Sequence, residues 1–142
     1  MWMKNRILKL LNLWLPPFLW AALIFHFSSG TIPVASPVYW QDFVVKKTGH
    51  ILLFGALAVL IYRALLGEGV DRKKAAIYSV IFAMFYGATD EFHQMFTQGR
   101  ESTVRDVFID GIGAGVAIYL IYKFLPKLPK NFRKFFLELG IN

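Results

Sequence analysis

The segment 89-TDEFHQMFTQGRESTVRDVFIDGIG-113 places a long run of polar residues between two strongly apolar runs. The run 75-AAIYSVIFAMFYGA-88 comes directly before it, and the run 111-GIGAGVAIYLIYKFL-125 overlaps its end. A helix needs roughly 20 mainly apolar residues to cross a hydrocarbon layer of ~30 Å, and each arm is close to that length. The segment therefore predicts a helical hairpin in a membrane, with its polar turn at one surface.

The composition of the whole chain favours the same class of protein. Of its 142 residues, 56% are hydrophobic and only 18% are charged, whereas about a quarter of the residues of a soluble domain are charged. Four apolar stretches approach a spanning length, at 7–27, 47–66, 75–96 and 106–125. We therefore predict an all-α polytopic membrane protein, a four-transmembrane-helix bundle. The absence of cysteine excludes disulfides, zinc-thiolate sites and thiol nucleophiles.

The basic residues predict the orientation of this bundle. They form three groups on one side of the apolar stretches, and the positive-inside rule makes that side cytoplasmic. The groups are Lys4, Arg6 and Lys9, then Arg63, Arg72, Lys73 and Lys74, and then Lys123, Lys127, Lys130, Arg133 and Lys134. We therefore expect a multi-pass protein of the cell membrane with both termini cytoplasmic. With the basic residues placed so, the net charge of +7 indicates anionic membrane lipids as partners rather than nucleic acid.

Two regions follow from the pattern, a membrane domain over residues 1–125 and a basic tail over residues 126–142. In the tail, Phe132, Phe135, Phe136 and Leu139 recur at helical spacing among lysines and arginines. That pattern is typical of an amphipathic helix that lies on a membrane surface, here the inner one. A disordered basic tail is the alternative.

Ionisable residues concentrate near the outward ends of the predicted spans. A charge at the centre of a bilayer costs about 2.5–3.5 kcal/mol on insertion scales, so such residues usually face the bundle interior and serve a function. Helical spacing predicts that three helices direct these side chains into one pocket. Lys47 and His50 lie on the second helix, Asp90, Glu91, His93 and Gln94 on the third, and Asp106 and Asp110 on the fourth.

The same end of the bundle favours an anion. The second and fourth helices both begin there, so their free N–H groups and positive dipole ends point outward. The cations Lys46, Lys47, Arg100 and Arg105 lie close by and break the positive-inside pattern. An anion-receiving pocket explains these exceptions.

Three structural explanations compete with a ligand site. Thr103 and Asp106 have the spacing of a helix cap. The glycines Gly111, Gly113 and Gly115 are interpreted as helix-packing contacts, because small residues let membrane helices approach closely. Ion pairs between Glu91 and Arg100, or between Asp110 and Lys47, would only fix the helix register.

The run 90-DEFHQMFTQGRESTVRDVFIDGIGAGVA-117 resembles the signature of the VanZ-like family. That signature reads Asp-Glu-x-His-Gln, then Gly-Arg, then Asp followed four residues later by Asn or Asp and three later by Gly. The pair Ser28-Ser29 and the run Lys47-Thr48-Gly49-His50 also resemble family features, so the likeness covers residues 15–125. Gln98 stands where proline often precedes the Gly-Arg. The resemblance implies motif positions at Ser28, Lys47, His50, Asp90, Glu91, His93, Gln94, Arg100, Asp106 and Asp110.

What the resemblance implies about function is a phenotype rather than a mechanism. VanZ-like proteins are associated with low-level resistance to teicoplanin and related lipoglycopeptides, which implies a bacterial cytoplasmic membrane. The family's biochemical activity is not established. Resistance is therefore an expectation for this chain, and the chemistry has to be inferred from its residues.

We expect a site at the outer leaflet that binds or processes an anionic amphiphile, such as a lipid-phosphate cell-wall intermediate, a phospholipid headgroup or a lipoglycopeptide. If it catalyses phosphoryl or acyl transfer, His93, Glu91 or Asp110 is the candidate general base. The candidate catalytic residues are Asp90, Glu91, His93, Asp106 and Asp110, and the candidate ligand-binding residues are Ser28, Lys47, His50, Gln94, Arg100 and Arg105.

Two other functions stay open at this point. The polar cluster would be a structural lock in a non-catalytic protein that organises partners, or part of a proton-coupled transporter, for which four helices leave little room. The sequence identifies neither a cofactor nor an oligomeric state. We expect no metal ligand, and the alternative is Mg²⁺ or Ca²⁺ bound by Asp90, Glu91, Asp106 and Asp110.

Overall fold

The computed structural model describes residues 2–30, 37–97 and 103–141, and the regular structure in these ranges is entirely helical. The helices are α1 (Trp2–Ser28), α2 (Tyr39–Gly67), α3 (Arg72–Gln94), α4 (Val104–Phe124) and α5 (Lys130–Glu138), with a 3₁₀ turn at Leu125–Lys127. The predicted all-α class is confirmed.

Three of the helices are long and apolar enough to cross a membrane. The segments are Arg6–Ser28, Tyr39–Gly67 and Val104–Lys127, which fits a multi-pass membrane protein. Helix α3 has 23 residues, roughly 35 Å, but it also carries the polar residues of the hairpin. The predicted span at 75–96 therefore stays a prediction.

The four long helices run up and down in chain order. Contacts between the ends of alternate helices support this topology. The end of α1 meets the end of α3 where Ser29 approaches His93, and the start of α2 meets the start of α4 where Lys47 binds Asp106. We call this end of the bundle the polar end. Helix α2 is central, because it packs against α1, α3 and α4, whereas α1 makes only slight contact with α3.

Helix α2 begins earlier than the sequence indicates. Residues 39–46, which precede the predicted span at 47–66, form its first two turns. Within them Asp42 and Lys46 are one helical turn apart and form an ion pair at 2.7 Å. The helix therefore pairs the two charges that come before the apolar run.

Helices α2 and α4 cross closely at two glycines. A Cβ added at Gly113 would lie 2.6 Å from the carbonyl oxygen of Ile51, and one at Gly55 would lie 3.2 Å from the carbonyl oxygen of Gly113. The packing role expected of Gly113 is confirmed. A Cβ added at Gly111 would lie 2.9 Å from the side chain of Met84 on α3, whereas one at Gly115 would meet nothing within 4 Å, so the packing interpretation of Gly115 is wrong.

The opposite end carries the basic residues, and we call it the basic end. Asp71 accepts hydrogen bonds from the backbone N–H groups of Lys73 and Lys74 and so caps the start of α3. Arg63 donates to the carbonyl oxygens of Asn12 and Leu139, which ties α1, α2 and the tail together. The tail thus contains the predicted helix, α5, with Phe132 and Phe135 exposed on it.

Candidate functional site

Two polar contacts join α2 to α4 at the polar end. The Lys47 ammonium binds the Asp106 carboxylate at 2.5 Å, and His50 Nδ1 lies 2.9 Å from Asp110 Oδ1. The spacing of three residues on α2 matches the spacing of four on α4, so each pair lies one turn from the next. The predicted convergence of these two helices is therefore observed, but with Lys47 on Asp106 instead of Asp110.

The acids of α3 face the same interior. Asp90 Oδ2 accepts a hydrogen bond from the amide of Gln94 at 2.7 Å, and Glu91 Oε2 accepts one from the backbone N–H of Thr103 at 3.1 Å. Asp90, Glu91 and Gln94 are each at most 4% exposed. Glu91 therefore fixes the backbone just before α4 and closes the polar hairpin.

His93 points to α1 rather than into the acid cluster. Its Nε2 lies 3.2 Å from Ser29 Oγ, and its ring packs on Phe25 with centroids 4.4 Å apart. Ser29 Oγ also donates to the carbonyl oxygen of Phe25 at 2.7 Å. The hydroxyl proton is thus used by the helix backbone, and Ser29 presents its oxygen to the imidazole as an acceptor.

A cavity of about 540 Å³ opens between α1, α2 and α3 at the polar end. Its size is that of a small-molecule site. Apolar side chains, among them Ile24, Leu53 and Phe54, form its inner part. The polar residues that line it are His26, Ser28, Ser29, Lys46, His50, Asp90 and Gln94.

Most of the predicted site residues lie at this end, but in different positions. Ser28, His50, Asp90 and Gln94 line the cavity, whereas Lys47, Glu91, Asp106 and Asp110 lie in the adjoining contacts with α4. Arg105 is at the rim, with its guanidinium 5.2 Å from the centre of the Phe43 ring. Arg100 lies outside the described residues.

The sequence analysis missed His26, Ser29 and Lys46 as cavity residues. Ser29 follows Ser28 directly, so the serine pair was the available signal. Lys46 was visible as a cation at the rim, but its place in the cavity depends on the extra turns of α2.

The predicted cap at the start of α4 is wrong as regards the side-chain hydrogen bond of Thr103. Thr103 has the extended backbone of an N-cap residue, but its hydroxyl makes no capping hydrogen bond. The Asp106 carboxylate is drawn to Lys47 instead. Asp106 therefore serves the contact between α2 and α4 rather than its own helix end.

Two buried carboxylate oxygens have no hydrogen-bond partner within the described ranges. They are Oδ1 of Asp90 and Oδ2 of Asp110. Asp90 is 2% exposed and Asp110 is 0% exposed. Buried polar atoms are almost always satisfied by protein, water or an ion. The cluster can therefore hold a further cation or polar group.

The chain was compared with known proteins. No curated protein and no solved structure matches it. The model of the VanZ/LLP1 family matches residues 3–126, most of the chain and all of the polar hairpin. The resemblance found in the motif is thereby confirmed, and the chain belongs to the VanZ/LLP1 family.

Proposed function

We propose that this protein binds the polar head of an anionic amphiphile in the cavity at the polar end, with that end at the outer leaflet. In this arrangement α3 also crosses the membrane, which gives four spans in all, and both termini are cytoplasmic. The observation that carries the proposal is the cavity itself, because it combines a ligand-sized volume with polar groups from three helices.

The charge pattern of the two ends supports this orientation. The basic end holds Arg63, Arg72, Lys73 and Lys74, together with the tail. Excess Lys and Arg marks the cytoplasmic side of a membrane protein. The outer surface of α1 is apolar, with Phe18 72% exposed, as a lipid-facing helix requires. The tail helix α5 then lies at the inner surface and turns Phe132 and Phe135 to the lipid.

The cations and hydroxyls of the polar end support an anionic head. Lys46, Ser28 and Ser29 line the cavity and supply one ammonium group and two hydroxyls. Ile24, Leu53 and Phe54 would contact the adjoining hydrocarbon of an amphiphile. A lipid phosphate and a lipoglycopeptide share this chemistry. We propose a lipoglycopeptide as one possible ligand because family resemblance links such proteins to low-level teicoplanin resistance.

A cavity-filling substitution tests the proposal. Gly49 lines the cavity, and a Cβ there would meet nothing within 4 Å, so Gly49→Leu starts a side chain in open space and occupies part of the cavity. Gly115→Leu is the matched control, because Gly115 also faces open space but lies outside this cavity.

The measurement is binding of a short-chain polyprenyl phosphate, of phosphatidylglycerol and of teicoplanin to the protein in phosphatidylcholine nanodiscs. We expect Gly49→Leu to weaken binding of at least one probe tenfold or more, and Gly115→Leu to leave it unchanged. Equal binding by wild type and Gly49→Leu would reject the cavity as the site. Susceptibility of a host that expresses each variant then tests the link to resistance.

A structural lock is the second candidate function, and one observation favours it. Lys47 and His50 both bind acids of α4, so these groups already stabilise the bundle without any ligand. Catalytic roles for Asp90, Glu91, His93, Asp106 and Asp110 stay predictions under either function.

A further inference from the structure

Three side chains of metal-binding type meet beside the cavity. His50, Glu91 and Asp110 come from α2, α3 and α4, and one potential ligand atom from each lies within 4.8 Å of the other two. Glu91 and Asp110 are buried, and His50 is partly buried. Residues far apart in the chain are thus brought together by the helix bundle.

The balance of charge around these residues favours a cation. Asp90 and Asp110 are both buried in the bundle, and an uncompensated buried ion costs several kcal/mol. Lys47, the lysine of the adjoining turn, is already bound to Asp106. Among the described residues, His50 is the basic group that contacts Asp110.

Two oxygens provide an independent indication of a ligand. Oδ2 of Asp110 and Oδ1 of Asp90 are buried and have no hydrogen-bond partner in the part of the chain that the structure describes. Asp90 is not one of the three clustered residues, yet it lines the same cavity as His50. Such oxygens normally contact an ion or a water molecule.

We propose that His50, Glu91 and Asp110 bind a divalent cation, with Asp90 beside it at the cavity wall. A set of one imidazole and carboxylates suits Mn²⁺ or Zn²⁺, because imidazole favours the transition metals over Mg²⁺ and Ca²⁺. His50 belongs both to this set and to the cavity lining, so the cation lies beside the cavity. From the sequence we expected no metal, and the alternative that we kept, Mg²⁺ or Ca²⁺ on Asp90, Glu91, Asp106 and Asp110, did not include His50.

The cation also explains how an acid-rich pocket receives an anion, an extension that rests on the proposed function. Asp90, Glu91 and Asp110 by themselves repel a phosphate or carboxylate. A divalent ion neutralises part of this charge and leaves coordination positions for the oxygens of the head. The ligand class is then an amphiphile whose head carries a metal-binding oxyanion.

The first test uses the wild-type protein in detergent. It is stripped with a chelator, incubated with Mn²⁺ or Zn²⁺, separated from free metal and analysed for metal content. We expect about one ion per chain, and in the Mn²⁺ form an electron spin-echo signal from a coordinated imidazole nitrogen. Metal at the level of a protein-free blank for both ions, in protein that is monodisperse and helical, would overturn the proposal.

The second test uses His50→Gln, Glu91→Gln and Asp110→Asn, with Glu138→Gln as the matched control. Glu138 is exposed on α5, near Lys134 and far from the cluster. We expect each cluster variant that remains helical to bind the metal at least tenfold more weakly, and the control to bind it as wild type does. Loss of the imidazole signal in His50→Gln supports the site, whereas unchanged affinity in all three variants contradicts it.

The binding assay with amphiphiles separates this inference from the proposed function. Binding of a probe to protein that takes up no metal would overturn the cation site and leave the proposed function standing. Stoichiometric metal without binding of any probe would support the cation site and count against the proposed function.

Discussion

Lys47 and Asp106 join the third turn of α2 to the first turn of α4 through an ion pair at 2.5 Å. The side chains are 18% and 6% exposed, so the pair is largely shielded from solvent. Thr103, three residues before Asp106, is in turn bound by Glu91. The ion pair thus stabilises the place where the polar hairpin returns to the bundle.

We expect Lys47→Met and Asp106→Asn each to lower the free energy of unfolding by about 3 kcal/mol. Removal of one partner leaves the other charge buried and unpaired, which is the costly case. The double variant should cost less than the sum of the two. Reversible unfolding in mixed detergent micelles measures all three values.

The matched control for this pair is Lys134→Met, because Lys134 and Glu138 form an exposed pair with side chains 78% and 65% accessible. Its effect should stay within about 1 kcal/mol. Strictly additive effects of Lys47→Met and Asp106→Asn would show that the two residues do not stabilise the bundle through each other. If folded Asp106→Asn still binds the amphiphile, the ion pair stabilises the bundle without being needed for binding in the cavity.

The crossing of α2 and α4 gives a prediction about packing. In Gly113→Ala, the new Cβ meets the backbone of Ile51, which cannot move aside as a side chain can. We expect a loss of about 1–3 kcal/mol from overpacking. Gly115→Ala adds the same methyl group in open space and should be neutral or stabilising by up to about 1 kcal/mol. Equal stabilities of the two variants would be inconsistent with a close crossing at Gly113.

Sequence reasoning predicted the positions of the helices along the chain better than it predicted the contacts between them. The ends of α4 lie within a few residues of the predicted 106–125, because its apolar run is bounded by charges. The start of α2 was missed, since the charges of Asp42 and Lys46 precede the apolar run and are paired only within the helix. Local composition therefore decided which segments are helical, but not where each one begins.

The partners within the site depend on helix rotation and tilt, which no local pattern reports. Lys47 and His50 were placed on one face of α2, but the spacing fits several pairings with Asp106 and Asp110. The same uncertainty hid the meeting of His50, Glu91 and Asp110, which lie on three helices. His93 was assigned to the acid cluster because it follows Asp90 by three residues, yet it contacts Ser29.

The basic end supplies a prediction about the tail. Arg63 donates to carbonyl oxygens of both Asn12 and Leu139, and Met at position 63 has neither the charge nor the donors. We expect Arg63→Met to release α5, which limited proteolysis in detergent would detect as faster cleavage after residue 125. Lys134→Gln is the control, because Lys134 lies on α5 without holding it to the bundle. Unchanged cleavage in Arg63→Met would show that other contacts dock the tail.

The proposed orientation can be tested with single cysteines, because the natural chain has none. Thr97 follows α3 at the polar end, and Lys73 lies in the first turn of α3 at the basic end. In intact spheroplasts, a membrane-impermeant maleimide should label Thr97→Cys at once but label Lys73→Cys only after the membrane is opened. The wild-type protein is the control for background labelling, and denatured samples of each variant show that both thiols can react. The reverse pattern would place the polar end in the cytoplasm. Labelling of both positions from outside would instead show that α3 does not cross the membrane.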